Sequence, residues 1–176
     1  MSQNFFAFLM NLPHRRRRYE KGALIFERDE PVTSLFAVSS GKALLLRRQK
    51  DGTEVVLQRA EQGSVLAEAS LSTKFYHCSA NAISPLELVV LRRKSVQDML
   101  LSNPKASHAL AAHLAREVQN ARRRAEILAL KYVSERLTAW LVWHDDILPE
   151  RGEWHRLADE IGVSNEALYR ELAKRR

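Results

Sequence analysis

The hydrophobic pattern of the first half of the chain is that of a β domain. Between Gly22 and Leu91, short apolar runs alternate with turn residues at roughly 8–12-residue spacing, which is typical of an all-β sandwich or barrel. The runs cover 23–26, 34–38, 42–48, 55–57, 63–66 and 86–91. Asp51-Gly52 predicts a hairpin turn, because glycine supplies the positive φ that such turns need. A short amphipathic helix is predicted over 1–12.

A run of basic residues precedes the first apolar run: His14-Arg15-Arg16-Arg17-Arg18. One interpretation is a patch that binds polyanions. The other is a solvated stretch that leads into the first strand. The pattern by itself leaves both interpretations open.

Helix-forming residues dominate from Ser95 onward. Asn103-Pro104 separates a short helix from a long one, because proline suits a first helical turn and disfavours helix in the residue before it. The long helix is predicted from about Lys105 to Ala129. A narrow apolar seam with steps of four and three runs along it, which is typical of a helix that pairs with a second copy. The predicted dimer interface is Ala111, Leu114, Val118, Ala121, Ala125 and Leu128.

The long helix also has apolar residues off this seam, Leu110 and Ile127, which allow it to pack on its own β domain. Packing of this kind and dimerisation are compatible. A further amphipathic helix is predicted around 133–141, and a loop over 145–153.

The C-terminal end of the chain predicts a helix-turn-helix motif. Leu157 and Ile161 share a helix face, and Gly162 follows where a helix end needs positive φ. Leu168 and Leu172 lie four apart on a second helix and can pack back on the first. The other face of the second helix, with its capping serine, can enter a major groove. The candidate DNA-binding residues are therefore Ser164, Asn165, Glu166, Tyr169, Arg170 and Lys174.

Composition agrees with a nucleic-acid partner. The 176 residues are 45% hydrophobic, enough for a core, and carry a net charge of +7, which favours nucleic acid first and an anionic membrane second. The single cysteine excludes an internal disulfide and fits a reducing compartment. No transmembrane segment is predicted, so we expect a cytoplasmic protein without a membrane partner. The sequence contains no phosphate-binding glycine loop, no metal-ligand spacing among its histidines and no nucleophile motif. We therefore expect neither an enzyme nor a metal site.

The order of these elements resembles the cyclic-AMP receptor/fumarate-nitrate regulator family of bacterial transcription factors. The resemblance covers nearly the whole chain. Its segments are 22–26, 35–38 with Gly41, 51–54, 67–71, 133–137 and 157–170. It implies an α+β fold in three parts: a β-roll of the cyclic-nucleotide-binding, jelly-roll type over 1–103, a dimerisation helix over 104–130, and a helix-turn-helix DNA-binding domain over 131–176.

In that family the recognition helix contacts bases through a glutamate near its start and an arginine four residues later. Glu166 and Arg170 stand at those positions. A carboxylate can accept from cytosine N4, and a guanidinium can donate to guanine O6 and N7. The alternative for this pair is an i,i+4 salt bridge on the helix surface.

The effector pocket departs from the family pattern. Cyclic-AMP binders of the family hold the cyclic phosphate with an arginine at the position of Cys78, and a thiol cannot replace that charged clamp. Ala67 replaces the glycine before the pocket glutamate, and Ala121-Arg122 replaces a hydroxyl pair that contacts adenine. We therefore expect cyclic AMP to bind weakly or not at all. The candidate pocket residues are Glu68, Cys78, Ser79 and Arg122, of which the last can supply a positive charge for another anion.

His77-Cys78 suggests a second kind of sensor. Adjacent histidine and cysteine resemble the haem-sensing branch of the family, and a cysteine thiol of low pKa can sense oxidants. The alternative is an ordinary pair of strand residues. No cofactor is assigned on this pattern.

The family continues beyond the recognition helix into a β-hairpin wing that contacts phosphate, whereas this sequence stops at Arg176. Either the sequence is a piece of a longer protein or the wing is absent. If the wing is absent, we expect weaker and less salt-dependent DNA binding. Lys174, Arg175 and Arg176 can compensate in part.

These observations predict a homodimeric, DNA-binding transcription regulator that binds a pseudo-palindromic site. Its partners are double-stranded DNA and a second copy of the chain, with RNA polymerase as a further candidate. The alternative is a small-molecule-binding sensor module that has lost DNA binding.

Overall fold

A computed structural model describes residues 4–175 and divides the chain into two compact units, 1–114 and 115–176. The first unit holds α1 (Phe5–Met10), eight strands, α2 (Arg93–Ser102) and the start of α3 (Pro104–Ala129). The strands are β1 (His14–Tyr19), β2 (Leu24–Phe26), β3 (Ser34–Ser40), β4 (Ala43–Arg48), β5 (Glu54–Ala60), β6 (Val65–Leu66), β7 (Ser79–Ala82) and β8 (Leu86–Arg92). The predicted domain boundaries at 103/104 and 130/131 stay predictions.

The strands form two antiparallel four-stranded sheets, in the orders β1-β8-β3-β6 and β2-β7-β4-β5. Their inner faces share one apolar core, in which Leu35, Leu66 and Leu88 are fully buried. Helix α1 adds Phe5 and Leu9 to the same core. The predicted β domain within an α+β fold is confirmed, as is the short leading helix.

The basic run is solvated, as one interpretation predicted, but it is itself the first strand and does not lead into one. Strand β1 pairs with β8 in continuous register, from His14 opposite Leu91 to Tyr19 opposite Leu86. It lies at the edge of its sheet, and its first five side chains are exposed. An edge strand of this kind shows no alternation of apolar and polar residues, and its charges discourage pairing with other chains.

Strand β7 was not predicted. Its sequence, Ser79-Ala80-Asn81-Ala82, has low strand propensity, but it lies between β2 and β4 in the interior of the second sheet. Ala80 and Ala82 are buried there. Small side chains suit this tightly packed position, and packing overrides the weak local preference.

The long helix begins and ends as expected, to within one residue. The Asn103 side-chain oxygen accepts hydrogen bonds from the backbone N–H groups of Lys105 (3.1 Å) and Ala106 (3.2 Å), which otherwise lack helical partners. Pro104 follows at the first helical position.

The second unit contains the rest of α3 with α4 (Val133–Val142), α5 (Trp154–Ile161) and α6 (Asn165–Lys174). Its core is a separate apolar cluster centred on Leu137, Leu157, Ile161 and Leu168. The predicted loop before α5 contains one short 3₁₀ turn, Arg151–Glu153.

Candidate functional site

Helices α5 and α6 are joined by a tight turn at Gly162. This residue has φ 65° and ψ 46°, the left-handed conformation that a glycine adopts without a Cβ penalty. The Val163 N–H donates to the Ala158 carbonyl at 3.0 Å, which closes the helix end. A Cβ on Gly162 would lie 2.6 Å from Leu128 Cδ2, so a larger residue would displace the tip of that side chain in addition to straining the backbone.

Ser164 caps helix α6, as predicted. Its hydroxyl oxygen accepts from the Ala167 N–H at 3.2 Å. Leu168 and Leu172 bury the inner face of α6 in the apolar cluster of this unit. Because the cap and this face hold the helix rigidly, the outward side chains occupy defined positions.

The outer face of α6 presents Asn165, Glu166, Tyr169, Arg170 and Lys174. Arg170 and Lys174 are exposed, and within residues 4–175 neither forms a hydrogen bond or an ion pair. Tyr169 is 40% exposed, and its ring centroid lies 5.2 Å from that of Trp154, so part of the side chain packs against α5.

Glu166 and Arg170 do not form the alternative surface salt bridge within the described part of the chain. The pKa of the Glu166 carboxyl is lowered first by a hydrogen bond from its own backbone N–H. The Ser164 hydroxyl and the charge of Arg170 lower it further. The Glu166 carboxylate is therefore available as an acceptor, and the exposed Arg170 guanidinium is available as a donor.

Arg175, which the sequence suggests as a cation for phosphate, forms hydrogen bonds within the chain. Its guanidinium donates to Glu171 Oε1 (2.9 Å), to the Ser134 carbonyl (2.7 Å) and to Thr138 Oγ1 (3.0 Å). It therefore anchors the end of α6 to α4. Arg176 lies outside the described residues.

The candidate effector site lies in the first unit, around a 3₁₀ turn at Glu68–Ser70. Ala67 precedes the turn with φ 68°, so the chain keeps a backbone conformation that favours glycine although alanine stands there. Glu68 is buried, with 7% of its surface exposed. Ser79 Oγ accepts from the Arg28 N–H at 3.0 Å, so its hydroxyl oxygen already has a partner.

Cys78 is 1% exposed, and its thiol is not activated. Burial, and then the charge of Glu68, raise its pKa to about 11, while the charge of Arg47 opposes them. Arg47 lies close by, because its Nη2 donates to the His77 carbonyl at 2.9 Å. The pKa of His77 is lowered, mainly by burial and then by Arg47, and its Nδ1 lies 3.0 Å from Ser70 Oγ.

The comparison with known proteins rests on similarity over most of the chain. Residues 16–103 match the family of cyclic nucleotide-binding domains. The "Cyclic AMP receptor protein" of Thermus thermophilus is 30% identical over 166 residues, which cover 90% of this chain and 75% of the relative. The chain belongs to the cyclic-AMP receptor/fumarate-nitrate regulator family.

Other members of the family agree with this assignment. The "cAMP-activated global transcriptional regulator CRP" of Pasteurella multocida is 28% identical over 166 residues, 88% of this chain and 79% of the relative. The solved structure of FixK2 from Bradyrhizobium japonicum has a TM-score of 0.74 at 22% identity, over 93% of this chain and 84% of that chain, and supports the fold. As a member of this family, the protein is a transcription regulator.

The residues of the predicted dimer seam are mostly exposed within the single chain. Val118 is 47% exposed, and Ala111, Ala121 and Ala125 are exposed as well. Leu114 is half-buried, and Leu128 is 38% exposed with its tip near Gly162. The off-seam residues do pack inside the chain: Leu110 lies against the core of the first unit, and Ile127 is buried in the second.

Of the predicted effector residues, Glu68, Cys78 and Ser79 lie in the first unit. Arg122 lies exposed on α3 in the second. Sequence reasoning missed Arg47, because only the sheet places β4 beside the end of the His77 segment. Within residues 4–175, no group of three or more histidine, cysteine or acidic side chains is arranged to bind a metal. In the same range, no helix is long and apolar enough to cross a membrane.

Proposed function

We propose that the protein is a homodimeric regulator that binds a pseudo-palindromic DNA site through helix α6. The observation that carries this proposal is the outer face of α6. There, on a capped and well-packed helix, Glu166 and Arg170 are charged and have no ion pair within the described residues. An exposed acceptor and an exposed donor at fixed positions on one helix face are available to contact a ligand.

The chemistry of this face suits a major groove. Arg170 can donate two parallel hydrogen bonds to guanine, and Glu166 can accept from cytosine N4. Lys174, one turn further on, suits a phosphate oxygen as a point charge. Asn165 and Tyr169 flank the pair, and Ser164 holds the start of the helix.

Dimerisation through α3 would present two such helices. A twofold-symmetric dimer places them about one turn of DNA apart, so the site should consist of two inverted half-sites. The exposed seam of small and branched apolar residues supports this arrangement. RNA polymerase is a further proposed partner, on family resemblance alone.

The effector that we propose is an anion other than cyclic AMP. The buried, protonated thiol of Cys78 stands where a charged side chain would be needed to pair with the cyclic phosphate. Arg47 provides a cation beside this position. Haem ligation and oxidant sensing both favour a thiolate, which the raised pKa of Cys78 disfavours.

The test of DNA binding is selection from random duplex DNA with the purified protein, followed by two substitutions. Arg170→Ala should reduce the binding free energy for the selected site by roughly 1–3 kcal/mol. It should also weaken the sequence preference at one base pair in each half-site. Lys174→Ala should weaken binding to all sequences alike. It should also reduce by about one the slope of the logarithm of the binding constant against the logarithm of the salt concentration. Both variants are measured on selected and random duplex at one salt concentration.

The outcomes separate the possible roles. Equal weakening of selected and random duplex by Arg170→Ala would make Arg170 a phosphate-binding or scaffold residue. If the protein selects no sequence and neither substitution changes binding, the alternative of a sensor module without DNA binding takes the place of this proposal.

A further inference from the structure

The Arg136 guanidinium joins two helix ends. Arg136 lies in the first turn of α4, and its Nε donates to the Leu130 carbonyl at 2.9 Å, just after α3. Its Nη2 donates to the Leu128 carbonyl at 3.2 Å. Its Nη1 donates to the Ile161 carbonyl (3.1 Å) and to the Gly162 carbonyl (2.9 Å), at the end of α5.

These four acceptors are the groups that most need such a donor. The last carbonyls of a helix have no partners within the helix and carry partial negative charge. A guanidinium holds five N–H donors in a rigid plane, so one side chain can serve two helix ends at fixed relative positions. A lysine ammonium has three donors on a flexible stem and cannot reproduce this geometry.

The same two helix ends also touch directly. A Cβ on Gly162 would lie 2.6 Å from Leu128 Cδ2 and 3.4 Å from Arg136 Nη1. The turn before α6 is thus pressed against the last turn of α3, with Arg136 hydrogen-bonded to both. The Arg136 hydrogen bonds and the Leu128 side chain therefore join the end of the predicted dimer helix to the turn before the predicted recognition helix.

We propose that Arg136 is a positioning residue that sets the direction of α6 relative to the end of α3, and through it the half-site spacing that the dimer accepts. This inference rests on the proposed function. In a symmetric dimer, any change in that direction is applied twice, in opposite senses about the twofold axis. Loss of the guanidinium should therefore affect the distance between the two recognition helices more than the contacts of either one.

The experiment compares Arg136→Gln and Arg136→Lys with the wild type in the full chain. The probes are duplexes carrying one selected half-site, or two inverted half-sites whose central spacer is shortened or lengthened by single base pairs. Arg116→Gln is the matched control, because Arg116 is an exposed arginine on α3 off the dimer seam. Amide hydrogen exchange at Gly162 and Val163 is measured without DNA.

We expect the wild type to prefer one spacer. Arg136→Gln should bind the single half-site about as well as the wild type, yet lose roughly fivefold or more of its spacer preference, the usual scale of coupling between sites. Exchange at Gly162 and Val163 should rise. Arg136→Lys should lie between, and Arg116→Gln should match the wild type in both measurements.

An unchanged spacer profile in a folded Arg136→Gln protein would overturn the proposal. An equal loss of affinity for the single half-site and for duplexes of every spacer length would also overturn it, because a purely structural role for Arg136 gives that result. If Arg136→Gln does not fold, the same criteria apply to Arg136→Lys. If the wild type selects no DNA, the proposed function fails separately. In that case, unchanged hydrogen exchange at Gly162 and Val163 in Arg136→Lys would still overturn the positioning role of Arg136.

Discussion

At the scale of single residues, Cys78 shows how burial determines chemistry. Burial of the thiol and the charge of Glu68 outweigh the opposing charge of Arg47, so the pKa of Cys78 rises to about 11. A thiol that stays protonated at neutral pH is a small apolar side chain and a poor nucleophile.

We therefore expect Cys78 to resist alkylation in the folded protein near pH 8 and to react rapidly once the chain is unfolded. Folding raises the pKa of the Cys78 thiol above its ordinary value of 9.0. The contribution of this group to the free energy of unfolding is therefore fully present below pH 9. It should decline as the pH rises toward 11. Mass spectrometry after iodoacetamide treatment and urea denaturation at several pH values measure the two effects.

Cys78→Ala is the control for the pH dependence, since it removes the titrating group and keeps an apolar side chain. Rapid alkylation of the native protein at pH 8 would show an accessible thiolate and revive the redox interpretation.

The same residue governs the expected response to cyclic AMP. Calorimetry should detect weak binding or none, because no guanidinium stands at position 78 to pair with the cyclic phosphate. Cys78→Arg should raise the affinity for a cyclic nucleotide if the shape of the pocket is retained. A micromolar dissociation constant for the unaltered protein would contradict this expectation, and Cys78→Ala serves again as the control.

At the scale of elements, α3 presents two apolar surfaces with different uses. Ile127, which lies off the seam, is buried within the chain, whereas Val118 on the seam is exposed. The proposed dimer would cover Val118 with a second copy of the helix.

Replacing Leu114 and Val118 together with glutamate should give monomers, because it places four charges at the centre of the paired helices. Sedimentation equilibrium measures the result. The matched control is Gln119→Glu with Asn120→Glu, two exposed positions on the same helix off the seam, which should leave the dimer intact. A double seam variant that remains dimeric would place the interface elsewhere.

Elements also differed in how well they could be predicted. Helices α3, α5 and α6 are specified by nearby residues: a proline and a capping asparagine start one, a glycine ends another, and a serine caps the third. Strand β1 has no such marker, because all five residues from His14 to Arg18 are exposed at a sheet edge. Only its pairing with β8, far along the chain, makes it a strand.

At the scale of the whole molecule, the sequence alone determined the α+β class, the order of the elements, the family, and the candidate face of α6. Periodicity, caps and turn residues act over a few positions, so these features can be found by inspection. The tertiary structure decided the contacts of the arginines. Arg47 meets His77 across 30 positions, Arg136 meets Ile161 across 25, and Arg175 meets Ser134 across 41. An arginine looks the same in the sequence whether it faces solvent, an effector or a helix end, and only the packing of distant segments determines which carbonyl or carboxylate it reaches.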